Sequence, residues 1–192
     1  MTRARYLYTV DPGLDELVVV VWDLVLYRGL VGRCLTNLPH PRLMTAQVEV
    51  LRLKTPSEDR PAARAEAFGP PLCALIERRP PHRVVLETPA NLVPYGGHTG
   101  KAVAELALSI GVAIGVLEGR SVSWEPMLPD RKPSHSAAKN VKEWRRAEVH
   151  RLCTLAGVRL ERSFDVTDAQ WLGVRVLSAE GPRLHRWDLP AE

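Results

Sequence analysis

The run Leu17 to Leu24, Leu-Val-Val-Val-Val-Trp-Asp-Leu, constrains the fold of this chain more than any other segment. A nearly unbroken apolar stretch rich in β-branched valine reads as a strand with few wet positions, which places it inside a sheet and not at its rim. Residues 6–10, Tyr-Leu-Tyr-Thr-Val, read as a preceding strand that ends at Asp11, where Pro12-Gly13 starts a turn. Tyr27-Arg28-Gly29 looks like a second turn and Leu30 to Thr36 like a third strand, so the first three strands form an antiparallel meander. Within residues 37–60 the segment Gln47 to Leu53 fits either an added strand or a short helix.

The remaining elements alternate. Ala62 to Arg79 is helix-like, with Gly69-Pro70-Pro71 expected to break or kink it. Val84 to Glu87 is a short apolar strand, and Asn91 to Gly100, containing Gly96-Gly97, reads as a mobile loop. Lys101 to Leu117 is apolar nearly all round, the mark of a helix covered on more than one side. One side would pack on the sheet; the other, with Gly111 and Gly115 spaced for close approach, would meet a second subunit. Val122 to Glu125 is a further strand and Ala137 to Ala156 a further helix, and a last helix opens near Asp165. The order βββ-α-β-α-β-α predicts an α/β fold: a mixed central sheet of about five strands flanked by helices.

A length of 192 residues suits a single domain, with 178–192 as a C-terminal tail. Cys34, Cys73 and Cys153 lack Cys-x-x-Cys spacing, so neither a zinc site nor a disulfide framework is supported, and reduced thiols in the cytoplasm are expected. The N-terminus lacks the apolar core of a signal peptide, and no uncharged apolar run approaches membrane-spanning length, so no membrane partner is expected.

Charge is concentrated. Between Pro129 and Arg151 lie seven basic residues (Arg131, Lys132, Lys139, Lys142, Arg145, Arg146, Arg151) against three acidic ones, and this segment alone accounts for the net charge of +4. On the helix after residue 137, Lys139, Lys142, Arg146 and His150 recur as one stripe, with Val141, Trp144, Leu152 and Leu155 roughly opposite. A basic stripe suits a polyanion. The blander reading is a solvated helix face. His135 in Pro133-Ser134-His135-Ser136 reads first as a solvated loop residue, with approach to a phosphate as the alternative, and His98 in the glycine-rich loop after Glu87 as a candidate contact to a nucleic-acid backbone.

Asp11 and Glu87 each terminate an apolar strand, and Asp165 and Asp168 lie three apart at a helix start. Singly these have dull explanations: a turn opener for Asp11 and helix caps for the two aspartates. Together, carboxylates gathered at a sheet rim suit a hard divalent cation, which brings together oxygens that otherwise repel. That points to a magnesium-dependent nuclease.

The ordered set Val-Asp-Pro-Gly at 10–13, Val-Leu-Glu at 85–87 and Asp-Val-Thr-Asp-Ala at 165–169 resembles the RuvC family of Holliday-junction resolvases, over about residues 6 to 177. The segment from Gly111 before Gly119 is similar to that family's long central helix, while residues 37–60 stand as an insertion. The resemblance implies an RNase H-like fold and a homodimer that cuts opposed strands of a four-way DNA junction. Asp11 and Glu87 match the first two catalytic carboxylates, and Asp165 and Asp168 the closing pair. The basic segment corresponds to Arg131, Lys132, Lys139, Lys142, Arg145 and Arg146, which become the DNA contacts. Two Mg2+ ions about 3.5–4 Å apart, replaceable by Mn2+, would serve the chemistry, with Asp11 bridging, Glu87 on one ion and Asp165 and Asp168 on the other. Lys142 or Arg146 would neutralise phosphate charge. A prokaryotic cell, or a virus infecting one, would be the source.

Other functions remain in play. A nuclease of the same fold acting on flaps, duplex DNA or structured RNA has the same carboxylates. Actin-like ATPases share an Asp-x-Gly strand turn but need two such domains, for which 192 residues leave no room, so no nucleotide cofactor is expected. A catalytically silent junction binder fits an intact acidic set poorly.

Overall fold

A computed structural model of the chain describes residues 5–14, 16–31, 41–57, 61–88, 100–131, 133–134 and 136–180. Five strands form one sheet in the order β3-β2-β1-β4-β5. They are β1 (Tyr6–Pro12), β2 (Glu16–Asp23), β3 (Gln47–Lys54), β4 (Pro81–Glu87) and β5 (Trp124–Met127). β1, β2 and β3 pair antiparallel, whereas β4 runs parallel to β1 and β5 parallel to β4. The helices are α1 (Leu24–Val31), α2 (Pro61–Arg78), α3 (Gly100–Gly119), α4 (Val141–Ala156) and α5 (Phe164–Glu180), with a 3-10 turn at Pro41–Ala46.

The run that set the fold behaves as its composition requires. Leu17 through Trp22 are all fully buried, and side chains alternate between the two faces of the sheet. Leu17, Val19 and Val21 join Tyr8, Val10 and Leu86 in a layer closed by α2 and α3. Val18, Val20 and Trp22 join Leu7 and Val85 in a layer closed by α1, α4 and α5. Burying each such side chain contributes about 1.5–3 kcal/mol, so β2 acts as the keel of both layers.

One contact chain fixes α5 against the sheet. The indole Nε1 of Trp22 donates to Thr9 Oγ1 at 2.9 Å, and that hydroxyl donates to the Ala169 carbonyl at 2.8 Å. Gly173 lies over the same indole, so close that a Cβ there would fall 2.3 Å from ring carbons. Only glycine permits this approach. The first turns of α5 therefore stand directly over β1.

Several expected elements shift. The third strand of the meander is Gln47–Lys54, drawn from the supposed insertion, and not Leu30 to Thr36. Leu30 belongs to α1, because the Asp23 carboxylate accepts from the backbone N–H groups of Val25 and Leu26 at 3.0 and 3.2 Å and starts a helix inside the apolar run. Residues 32–36 lie outside the described residues, as do 91–99, with the expected glycine loop. α2 continues through Pro70 and Pro71, since Phe68 on one side of the pair and Leu72 and Leu75 on the other bury into the same layer. β5 starts two residues later than expected, and α4 begins at Val141, where Asn140 caps it by accepting from Glu143 N–H at 2.9 Å. Leu155, placed on the apolar side of that helix, is exposed instead.

By length and composition alone α3 is apolar enough to cross a membrane, although Lys101, Glu105 and Glu118 leave its uncharged run short of that length. In this fold Ile110, Ala113 and Leu117 of α3 enter the core beside α2. The buried Arg64 of α2 also reaches across to Ser109 Oγ at 2.7 Å.

Candidate functional site

Strand periodicity delivers the first two carboxylates. Leu7, Thr9 and Asp11 share one face of β1, as Val85 and Glu87 share one face of β4, and that face is the one α5 covers. β1 and β4 run parallel with Val10 opposite Leu86, so Asp11 and Glu87 occupy neighbouring positions at the carboxyl ends of adjacent strands. In open α/β sheets this end is where ligands bind.

α5 supplies the other pair. Asp165 lies in its first turn and Asp168 one turn on, over the same strand ends. The helix start is tied down by Ser163, whose hydroxyl donates to the buried Glu16 carboxylate at 3.0 Å, while Arg52 grips Glu16 from β3. Gly13 completes the wall. Its N–H donates to the Glu16 carbonyl at 2.9 Å, and a Cβ there would sit 2.8 Å from that oxygen and 3.7 Å from the Asp165 carboxyl carbon. Carboxylate oxygens of Asp11, Asp165 and Asp168 come within 4.8 Å of one another.

Glu87 is the fourth member, but it is engaged otherwise. Arg145 of α4, only 5% exposed, donates to both Glu87 oxygens at 2.8 and 3.2 Å. The same guanidinium reaches Asp168 Oδ1 at 3.3 Å and Asp130 Oδ1 at 2.8 and 3.0 Å. Asp130 in turn accepts from the Trp171 indole at 2.7 Å, and Trp171 stacks edge-on with Trp144. Arg145, expected from the basic segment as a DNA contact, is thus inside the carboxylate cluster. Neither Asp130 nor this inward role was anticipated. Helical spacing carries the signal: Val141, Arg145, Val149 and Leu152 share one face of α4, and that face is the buried one.

The other basic residues spread over the outside. Lys142 leans over the pocket with Nζ 3.5 Å from Asp165 Oδ1 and 3.7 Å from Asp168 Oδ2. Arg146 stacks on the Phe164 ring at 4.5 Å, and His150 bonds the Glu161 carbonyl at 2.9 Å. Lys139 and Arg131 are exposed. Lys132, His98 and His135 lie outside the described residues.

Electrostatics set the character of the pocket. Burial, then the charges of Glu87, Asp168 and Asp165, push the Asp11 carboxyl well above its ordinary pKa. Asp168 is raised by burial too, though Arg145 and Lys142 pull against it. Burial works against the charges of Lys142 and Arg145, but the surrounding carboxylates prevail and both sit above their ordinary values. Asp11, Glu87, Asp130, Asp165 and Asp168 outnumber the cations among them, so the pocket carries uncompensated negative charge. An all-oxygen donor set with that surplus fits a hard divalent cation and would not hold a soft one well.

A mixed sheet whose first three strands form a meander, with acidic residues at the rim under the last helix, defines an RNase H-like fold. Comparison with solved structures finds the same fold in RuvC structures. A structure of Thermus thermophilus RuvC matches with a TM-score of 0.61 at 13% identity, over 92% of this chain and 96% of that one. T. thermophilus RuvC in complex with Holliday junction substrate matches with a TM-score of 0.59 at 11% identity, over 88% and 90%. Identity this low establishes a shared fold. No family model matches the sequence, and no curated protein matches it.

Proposed function

We propose that this chain is a metal-dependent endonuclease that cuts branched DNA, four-way junctions above all. The observation that carries the reading is the meeting of Asp11, Asp165 and Asp168 at the carboxyl ends of the strands in a RuvC-like fold, from segments 154 residues apart in sequence at their closest to Asp11. Asp11, Asp165 and Asp168 would hold a divalent ion, Mg2+ with Mn2+ as substitute. When bound, such an ion supplies Lewis-acid charge to a phosphodiester and a water of lowered pKa.

The chain's own side chains do the rest. Asp11, Asp165 and Asp168 orient oxygens toward one point, and the Glu16–Ser163 bond and the Gly173–Trp22 contact hold those oxygens in place. Lys142 overhangs the pocket with its ammonium kept protonated, in position to meet a phosphate oxygen. Arg131 and Lys139, exposed beside it, extend positive potential along the approach. A homodimer would pair two such sites. Ala104, Gly111 and Gly115 recur along α3 at helical spacing and are exposed, which leaves a small-residue face for a second copy.

The test is direct. Labelled four-way junction, flap, linear duplex and structured RNA are incubated with the protein and either Mg2+ or a chelator. The reading expects the junction to be cut, the linear duplex spared and the chelator to stop cleavage. Preferential cutting of flaps or RNA would keep the nuclease and change its substrate. No cleavage of any of them with Mg2+ or Mn2+ would overturn the assignment.

A further inference from the structure

We propose that Arg145 is a built-in cation occupying the place of one metal ion, so that this chain binds a single divalent ion, through Asp11, Asp165 and Asp168. The inference rests on the nuclease reading only in taking the carboxylate pocket as a metal pocket.

Four carboxylates of this kind would ordinarily share two ions, as the sequence led us to expect. Here both oxygens of Glu87 accept from the Arg145 guanidinium, and Asp168 commits Oδ1 to it as well. An ion between Glu87 and Asp168 therefore has to evict the guanidinium. Eviction is opposed three ways. Arg145 also bonds Asp130 through Nε and Nη2, so its departure breaks two further bonds, to a third carboxylate. Its backbone is held inward by Val149 and Leu152, which bury on the same face of α4. A guanidinium also keeps its proton at any working pH, so it cannot vacate the place by becoming neutral. Asp11 and Asp165, by contrast, make no bond to Arg145 among the described contacts. Among the described residues, the cation on their side of the pocket is the largely exposed Lys142.

Arg145 is on this account a positioning residue: it fixes Glu87 and Asp168 and supplies their countercharge without occupying a coordination site for water. The test needs no nucleic acid. Mn2+ is titrated calorimetrically into the purified full chain and into variants. The wild type should take one ion per chain. Glu87→Gln should weaken that ion by less than about threefold, the size of a screened charge effect. Asp165→Asn should weaken it about tenfold or more. Arg145→Gln, if it folds, should take a second ion; if it does not fold, the Glu87→Gln against Asp165→Asn contrast decides alone. Two ions on the wild type, or equal loss from Glu87→Gln and Asp165→Asn, would overturn the inference while leaving the nuclease reading standing. No binding at all would overturn both.

Discussion

The pocket has two halves that share Asp168 and differ in how their charge is met. On one side Glu87, Asp130 and Asp168 close around the buried Arg145 guanidinium with bonds of 2.8–3.3 Å. On the other, Asp11 and Asp165 stand against each other with the exposed Lys142 as their cation among the described residues, and burial with the neighbouring carboxylates raises the Asp11 pKa. The two halves draw on the same kinds of side chain. What separates them is whether the protein provides a buried, fully bonded cation. A half that is already neutralised is architecture; a half left anionic is built to receive something.

The largest structural effect should come from the filled half. Arg145→Leu removes the guanidinium from Glu87, Asp130 and Asp168, leaves the buried Glu87 without its ion-pair partner, and should cost about 3–5 kcal/mol in chelator. Denaturant unfolding measures this, and added Mg2+ should restore part of it, because an ion that binds only the folded state stabilises it. Loss without any recovery would break the idea that guanidinium and metal are interchangeable there.

Gly173→Ala should act on both halves at once, since α5 carries Asp165 and Asp168. Its Cβ meets the Trp22 indole, which Thr9 and the Ala169 carbonyl hold in place. Overpacking of this sort costs about 1–3 kcal/mol. If α5 moves outward instead, affinity for Mn2+ should fall more than stability does.

The open half should show itself in pH. Asp11 and Asp168 have folded-state pKa values above the unfolded carboxylate range, so the folded state binds more protons. In chelator, stability should therefore fall as pH rises from the ordinary carboxylate range through those raised values, then level off. With saturating Mg2+ the trend should reverse, since ionised carboxylates are the ligands. Thermal melts across pH with and without metal measure both slopes. A chelated protein that gains stability with rising pH there contradicts the account.

The smallest effect belongs to the outer surface. Replacing exposed Arg131 and Lys139 by Gln should weaken DNA binding uniformly and flatten its log–log salt dependence by about one unit each. An unchanged slope would remove them from the interface.

Much of this arrangement was legible in the chain. Asp11 and Glu87 could be placed because short apolar runs end on them, and the i, i+3 spacing of Asp165 and Asp168 put both on the sheet side of a helix. Two things were hidden by locally misleading patterns. Asp23 sits within an apolar run that reads as strand, yet its carboxylate caps α1, and Arg5 pins it from the start of β1. With Leu30 in that helix, the strand that pairs with β2 is Gln47–Lys54. Arg145 lies in a segment so basic that one more arginine looked like surface, although Val141, Val149 and Leu152 at its helical spacings mark the inward face. Charge counted along the chain does not say which way a side chain points. Asp130, just past the end of β5, repeats the strand-end pattern of the other acids, but the basic residues around it concealed the match.

The central claim is that Asp11 belongs to a cation-holding pocket that cuts DNA. Its most direct test compares wild type and Asp11→Asn on a labelled four-way junction in Mg2+, measuring cleavage rate and junction affinity on the same samples. Loss of a ligand worth several kcal/mol in the transition state should slow cleavage by at least about a hundredfold, with folding and junction binding retained. Cleavage by the variant at the wild-type rate would contradict it.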